Sequence, residues 1–277
     1  MSVQISPLSV VHPDAELDSD VEIGPFCLVG PEVKIGSGTV LRSHVSITGR
    51  TTIGKDNQFF AHSAVGEDPQ DVSYQGGPTR LEIGDRNIFR EGVTVHRGAE
   101  KEEHLTRIGD GCYFMATSHV AHNCILGNGI IVGNATMFGG HVHIHDHAVI
   151  SGNCVVHHFC SIGTMSFIGG ASRVTRDVPP YLLGVGGDDF QISSVNLVGI
   201  QRRGVSKPTV QLLRRAHRLM YREFKSVAVT RELLIAELGP ELPSELEHLL
   251  NFCAEQDLGK NGRARERSRD VEQRRAA

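Results

Sequence analysis

Every sixth residue from Ile108 to Val174 is apolar, through Phe114, Val120, Leu126, Val132, Phe138, Ile144, Ile150, Val156, Ile162 and Ile168. A period of six is neither the 3.6 of a helix nor the plain alternation of a strand, so it specifies a repeat in which short strands alternate with turns. The residues two places earlier, among them Cys112, Ser118, Cys124, Thr136, Ala148, Cys154, Cys160, Ser166 and Ser172, are mostly small. Successive strand residues face opposite ways, so each strand sends one large and one small side chain inward. Glycine follows the large position at Gly109, Gly127, Gly133, Gly139, Gly163 and Gly169, where a corner is expected to need φ values that other residues adopt only at a cost. If three such faces close one coil, positions 18 apart stack at about 4.8 Å. The expected fold is mainly β, a parallel β-helix.

The same register starts near the amino terminus, at Ile5, Val11, Leu17, Ile23, Val29, Ile35, Leu41, Ile47, Ile53, Phe59 and Val65, with glycine following at Gly24, Gly30, Gly36, Gly54 and Gly66. It is interrupted twice. Residues 67–80 read as a loop thrown out of the solenoid, with the register resuming at Ile83, Phe89 and Val95; residues 96–107, with R-G-A-E-K-E-E-H, shift it by one. Insertions of this kind map to surface loops that often carry function. The repeat stops at R-D-V-P-P-Y, where two prolines forbid continued pairing. The prism is therefore assigned to residues 1–180. A glycine-rich linker is expected over 181–191, then helices over 193–203, 208–224 (capped by Ser206), 230–238 and 243–256. The charged tail from Gly259 to 277 lacks apolar period and is expected to be disordered.

With 5 % aromatic residues, 31 glycines and no tryptophan, the composition suits a thin aliphatic core without room for large rings. A net charge of −4 gives no general attraction to nucleic acid. No stretch approaches the roughly 18 apolar residues of a membrane span, and residues 1–8 have no basic segment leading into an apolar run. A soluble cytoplasmic protein without membrane insertion is expected. Cys27, Cys112, Cys124, Cys154 and Cys160 fall on the small inward position and read as core fillers; Cys253 carries no signal.

Fifteen histidines are placed with a pattern. His122 lies two residues after the inward Val120 and so projects outward; Gly140, beside His141, is 18 residues on, and His158, beside His157, is 36 on. His119 precedes the same strand. The arrangement is a vertical strip of imidazoles and glycine at one-coil steps. Imidazole titrates near neutrality and can take a hydroxyl proton, which makes the strip a candidate general-base site. The run H-V-H-I-H-D-H from His141 to His147 could suggest a metal, but one face offers too few of these residues to a common point, and no metal is expected.

The hexapeptides from residue 5 with I-G-P-F-C-L-V-G-P, G-E-D-P-Q-D, V-T-V-H-R-G, S-H-V-A-H-N-C, G-G-H-V, V-V-H-H-F-C, D-V-P-P-Y and N-L-V-G-I-Q-R-R-G together resemble, over residues 5–225, the UDP-N-acetylglucosamine O-acyltransferase family of lipid A synthesis. The resemblance implies a left-handed parallel β-helix with a carboxy-terminal helical domain, a homotrimer with active sites between subunits, acyl carrier protein and UDP-N-acetylglucosamine as partners, and no cofactor. By the same resemblance His122 is the base and the Gly140 amide holds the oxyanion. It makes Gln70, Asp71, His96, His119, His141, His157, His158, Asn196, Arg202 and Arg203 substrate-binding residues. Gly170 corresponds to the family's acyl-length stop, and the repeat sets it on a neighbouring face from His122, roughly 13 Å along the axis at the strand spacing.

Four positions depart from the family pattern. His158 stands where glutamine is common, Asn123 where aspartate follows the base, Ser73 where lysine is usual and Val198 where a carboxylate is usual. They leave a 3-amino sugar nucleotide open as the acceptor. A γ-type carbonic anhydrase, with histidines of two subunits on one zinc, a non-enzymatic scaffold, and the sister N-acyltransferase of the same pathway, expected to carry a separate domain before the prism, are the other readings. A metal assay separates the first; the scaffold leaves the histidine strip idle.

Overall fold

A computed structural model describes residues 2–266. Twenty-six short strands, from Gln4–Ile5 to Arg173–Val174, wind into three flat faces. We number the faces by their first strands: face one from Gln4–Ile5, face two from Val10–Val11, face three from Glu16–Leu17. Pairing along each face is parallel, and Gln4 pairs with Glu22 as Val10 does with Leu28, an offset of one 18-residue coil. Across the two loops the partners are farther apart in sequence, Gln58 with Ile88 and Ile88 with Tyr113, yet each face continues unbroken.

The interior follows the two inward positions, with one correction to the expectation from composition. Phe59, Phe89, Phe114 and Phe138 are all fully buried. Phe59, Phe89 and Phe114 stack nearly parallel at centroid separations of 4.6 and 4.9 Å. Large rings fit because stacking coil on coil lets each ring lie flat against the next. The five inward cysteines are buried as free thiols; burial raises those of Cys112 and Cys124 to about 11 and about 12.

The corners also differ from expectation. Of the glycines that follow the large inward residue, only Gly66 has a positive φ, +82°. The others answer to space: a Cβ on Gly133 would stand 2.3 Å from the Gly152 nitrogen of the next coil. The left-handed backbone falls two residues later and is carried by ordinary side chains, including Asn123 (φ 57°), His141 (φ 63°), Asn153 (φ 56°) and Phe159 (φ 64°). Asparagine and histidine tolerate it better than most, and it turns these side chains back along the prism edge.

After Val174 the chain does not form the expected linker. Leu182–Val185 extends face one beside Phe167–Ile168 and pairs antiparallel with Gln191–Val195. That hairpin occupies residues given above to the first helix, so α1 is only Leu197–Arg202. Helices α2 (Lys207–Tyr221, capped by Ser206), α3 (Val227–Leu238) and α4 (Ser244–Leu258) follow. They share a second core of Leu213, Leu219, Leu234, Leu246, Leu249, Leu250 and Cys253. The tail expectation is corrected for residues 259–266, which turn on a local bridge between Lys260 and Arg263 and fold back onto the prism through bonds to Asp177 and Thr175; residues 267–277 lie outside the described residues.

The stacked rings lead to a stability test. Phe89→Ala is expected to cost about 3–5 kcal/mol, while Phe224→Ala, at a ring 86 % exposed, should stay within about 0.5 kcal/mol of the parent. Denaturant titration of both variants checks the contrast.

Candidate active site

His122 is the first residue of the corner between face two, where His119–Val120 lies, and face three, where Ile125–Leu126 lies. Its side chain is only 12 % exposed, because the loop over 68–79 covers it. Gly140 occupies the same corner one coil on. A Cβ there would stand 2.6 Å from His122 Cε1 and 2.7 Å from Nε2, so only glycine leaves room for the ring. Among the described residues the Gly140 N–H has no hydrogen-bond acceptor.

The orientation of the ring is set by Asn123. The Asn123 amide nitrogen donates to the Lys101 carbonyl at 2.7 Å and to that of Ala99 at 3.4 Å, while Oδ1 accepts the Ala99 N–H at 2.9 Å. Oδ1 also lies 2.8 Å from His122 Nδ1. An amide oxygen can only accept, so Nδ1 must carry the proton and Nε2 must be the lone pair. Burial lowers the His122 pKa below the ordinary imidazole value, as does neighbouring His141; the Asn123 hydrogen bond and Asp71 oppose this. The ring is a neutral base near pH 7.

Both loops are held over this ring. Asn123 docks 97–104 through the bonds just given. That loop in turn grips 68–79: Glu100 accepts the Gly77 N–H at 2.6 Å, and Arg97 donates to the Gly66 carbonyl at 2.8 Å and pairs with Asp68. Lys101 meets Asp71 at 2.6 Å, and Asp71 Oδ2 lies 3.9 Å from His122 Nε2. Burial by itself would raise the Asp71 carboxyl, but Lys101 and Ser73 hold it well below the usual carboxylate range. Lys101 thus sets an ammonium, and Ser73 a hydroxyl, against the same carboxylate. Gln70 is exposed at the loop surface.

The remaining histidines surround the base. His119 Nδ1 is 2.7 Å from Thr94 Oγ1, and the His119 ring meets His96 edge-on at 4.8 Å. His141 meets His122 edge-on at 5.3 Å and stacks on Phe159 at 4.5 Å. His157 and His158 lie against each other at 3.8 Å. Burial lowers His96, pushes His119 down to about 4, and, with Arg265 nearby, takes His143 to about 3. Among the described residues no three His, Cys, Asp or Glu side chains gather to hold a metal ion.

Four expected residues are not brought to His122 within one chain. Asn196 is buried as the cap of α1, accepting from the Gly199 N–H at 3.1 Å and donating to the Met165 carbonyl at 2.9 Å. Arg202 and Arg203 are exposed at the end of that helix, with Arg203 near the Gly129 corner between faces three and one. Gly170 lies at the corner between faces one and two, and its exposed Cα leaves a Cβ no contact closer than 3.6 Å. Lys101, Arg97, Glu100 and Glu102 were not singled out from sequence beyond the charged run that contains them; that run was the available signal.

A model of the family described as UDP-N-acetylglucosamine O-acyltransferase, domain 2, matches residues 177–261. The acyl-(acyl-carrier-protein)-UDP-N-acetylglucosamine O-acyltransferase of Syntrophobacter fumaroxidans is 40 % identical over 257 residues, covering 93 % of this chain and 99 % of that protein. LpxA from Acinetobacter baumannii superposes with a TM-score of 0.86 at 40 % identity, covering 90 % of this chain and 96 % of that one. The UDP-N-acetylglucosamine acyltransferase of Francisella novicida gives 0.84 at 35 % identity, covering 90 % of each. The likeness to these structures places the prism among left-handed β-helices.

The depressed histidines predict how stability varies with pH. The unfolded chain binds protons near pH 6.5, whereas in the fold His119 and His143 hold out to about 4 and about 3. The unfolded state therefore takes up more protons on acidification, and stability should fall from pH 6.5 toward 4. Buried Asp177, raised to about 6, works in the opposite direction, since the fold gains its proton first. Melting at pH 7 and pH 5 checks the balance: a lower Tm at pH 5 is expected, with a shallower fall in His119→Asn.

Proposed function

The chain belongs to the UDP-N-acetylglucosamine O-acyltransferase family, and on that footing we propose how its residues carry out the reaction, the transfer of an acyl group from acyl carrier protein to the 3-hydroxyl of UDP-N-acetylglucosamine at the start of lipid A synthesis. The observation that carries the reading is the His122 ring, held by Asn123 with Nε2 as a lone pair beside Gly140. Nε2 takes the proton of the sugar hydroxyl as its oxygen attacks the thioester carbonyl carbon. The C–O bond forms, the carbonyl oxygen takes up negative charge, and the Gly140 N–H stabilises it. Collapse breaks the C–S bond, and the imidazolium returns its proton to the departing thiolate.

Asn123 does here part of what an aspartate would do. It fixes the tautomer without adding charge, and its amide N–H groups also anchor 97–104, which a carboxylate could not. Asp71, His96, His119, His141, His157, His158 and Gln70 line the approach as sugar-nucleotide contacts. Arg202 and Arg203 pair with phosphate, whether of the nucleotide or of the carrier's prosthetic group. Because the Gly170 and Arg203 corners are separate from the His122 corner in one chain, a homotrimer that sets the edges of neighbouring subunits together is the working unit. Neither metal nor cofactor has a part. No helix of the described residues is long and apolar enough to cross a membrane, and the enzyme works in the cytoplasm on soluble partners.

Turnover with UDP-N-acetylglucosamine and a panel of acyl-carrier-protein thioesters tests the reading. His122→Ala should fold and lose kcat by about 10²- to 10⁴-fold; near parental turnover would remove it from the base role. For the parent, kcat/KM should rise through an acid limb below pH 6.5, since burial lowers the His122 pKa. Gly170 has no positive φ and open space around it, so Gly170→Met should fold normally and move preference toward shorter thioesters, each lost methylene being worth about 0.8 kcal/mol. An unchanged ranking would remove Gly170 as the length stop.

A further inference from the structure

The family model stops at residue 261, yet the chain beyond it reaches the site. Asp177 donates its N–H to the Gly262 carbonyl at 2.8 Å and accepts the Ala264 N–H on Oδ2 at 2.8 Å. Arg263, 6 % exposed, donates to the Thr175 carbonyl and pairs with Glu266. These contacts fasten residues 262–266 along the last coils and aim the next side chain, Arg265, at the histidine corner. Its guanidinium donates to the His141 carbonyl and meets Glu102 Oε1 at 2.9 Å. The other Glu102 oxygen lies 3.0 Å from His141 Nδ1.

Arg265 therefore holds both ends of one unit, the backbone of His141 and the carboxylate set against its ring. Glu102 is an exposed side chain on a loop, at a residue with φ of +50°, and among the described residues Arg265 is the cation paired with it beside the His141 ring. Burial would raise the Glu102 carboxyl, but His141 and Arg265 outweigh that and lower it, so an anion is present at neutral pH. The carboxylate stands against the Nδ1 edge of the ring at ion-pair distance rather than in an aligned hydrogen bond, and so biases where that edge of the ring points. His141 lies edge-on to His122, so its ring angle shapes the space beside the base.

We infer that Arg265 is a positioning residue for the acyl transfer, acting through Glu102 to fix the His141 imidazole against the sugar nucleotide. The inference rests on the reading of His141 as a substrate contact. The carboxy-terminal segment, residues 262–266, is then a part of the binding site.

Steady-state kinetics of Arg265→Ala, Glu102→Gln, the double variant and Arg265→Lys test it, with His141→Ala alongside. Arg265→Ala should raise KM for UDP-N-acetylglucosamine about tenfold, the scale of one charge-assisted hydrogen bond, with kcat changed less than about threefold. Its Tm should stay close to the parent's, because Ala264 and Arg263 keep the segment in place. Arg265→Lys should recover much of the loss, and the double variant should be no worse than the poorer single one. A parental KM in Arg265→Ala, or additive losses in the double variant, would overturn the inference while His141→Ala still raised KM. An unaffected KM in His141→Ala would instead remove the site reading beneath it.

Discussion

The Asn123 side chain is the point on which the site depends. It accepts from Ala99 and from His122 and donates to Ala99 and Lys101, while its own N–H donates to Thr106 Oγ1 at 2.9 Å. The residue is 1 % exposed, and buried polar groups left without partners are costly. One amide thus decides the tautomer of the base and the seat of the second loop. Through Glu100, Arg97 and Lys101 that seat carries the first loop, and with it Asp71. A substitution at Asn123 should be felt in both loops and in the imidazole together.

This concentration follows from the geometry of the solenoid. Stacked coils fix the spacing of equivalent residues, and most corners put one residue into the left-handed region, often with a side chain along the edge. At the edge between faces two and three these residues are Asn123, His141 and Phe159, beside the row His122, Gly140 and His158. Two adjacent columns, one carrying the proposed base and one supporting it, arise from a repeat whose own requirement is a packed interior. The two loops and the carboxy-terminal segment then close the columns from outside.

Most of the fold was legible because a period of six in apolar residues has few physical solutions. The row His122, Gly140, His158 was legible for the same reason, as an arithmetic consequence of an 18-residue coil. The left-handed positions were displaced from the glycines because close approach between coils, a long-range effect, selects glycine at Gly133 as strongly as backbone conformation does. The roles of Asn123, Lys101 and Glu102 were not legible, since each depends on which side chain of a charged loop faces inward. The segment at 259–266 looked unstructured because its anchors are polar contacts to Asp177, Thr175 and His141, with no apolar period to announce them. The hairpin of Leu182–Val185 with Gln191–Val195 was masked by its glycines.

The account turns on the state of one imidazole: neutral, with its proton on Nδ1 and its lone pair on Nε2. Nitrogen-15 NMR of the His122 ring, assigned by comparison with His122→Ala, reads this state directly. At pH 7 the account gives a neutral Nδ1–H tautomer, protonating only below about pH 6.5 as burial requires. A ring protonated at pH 7, or a neutral ring with its proton on Nε2, would contradict it.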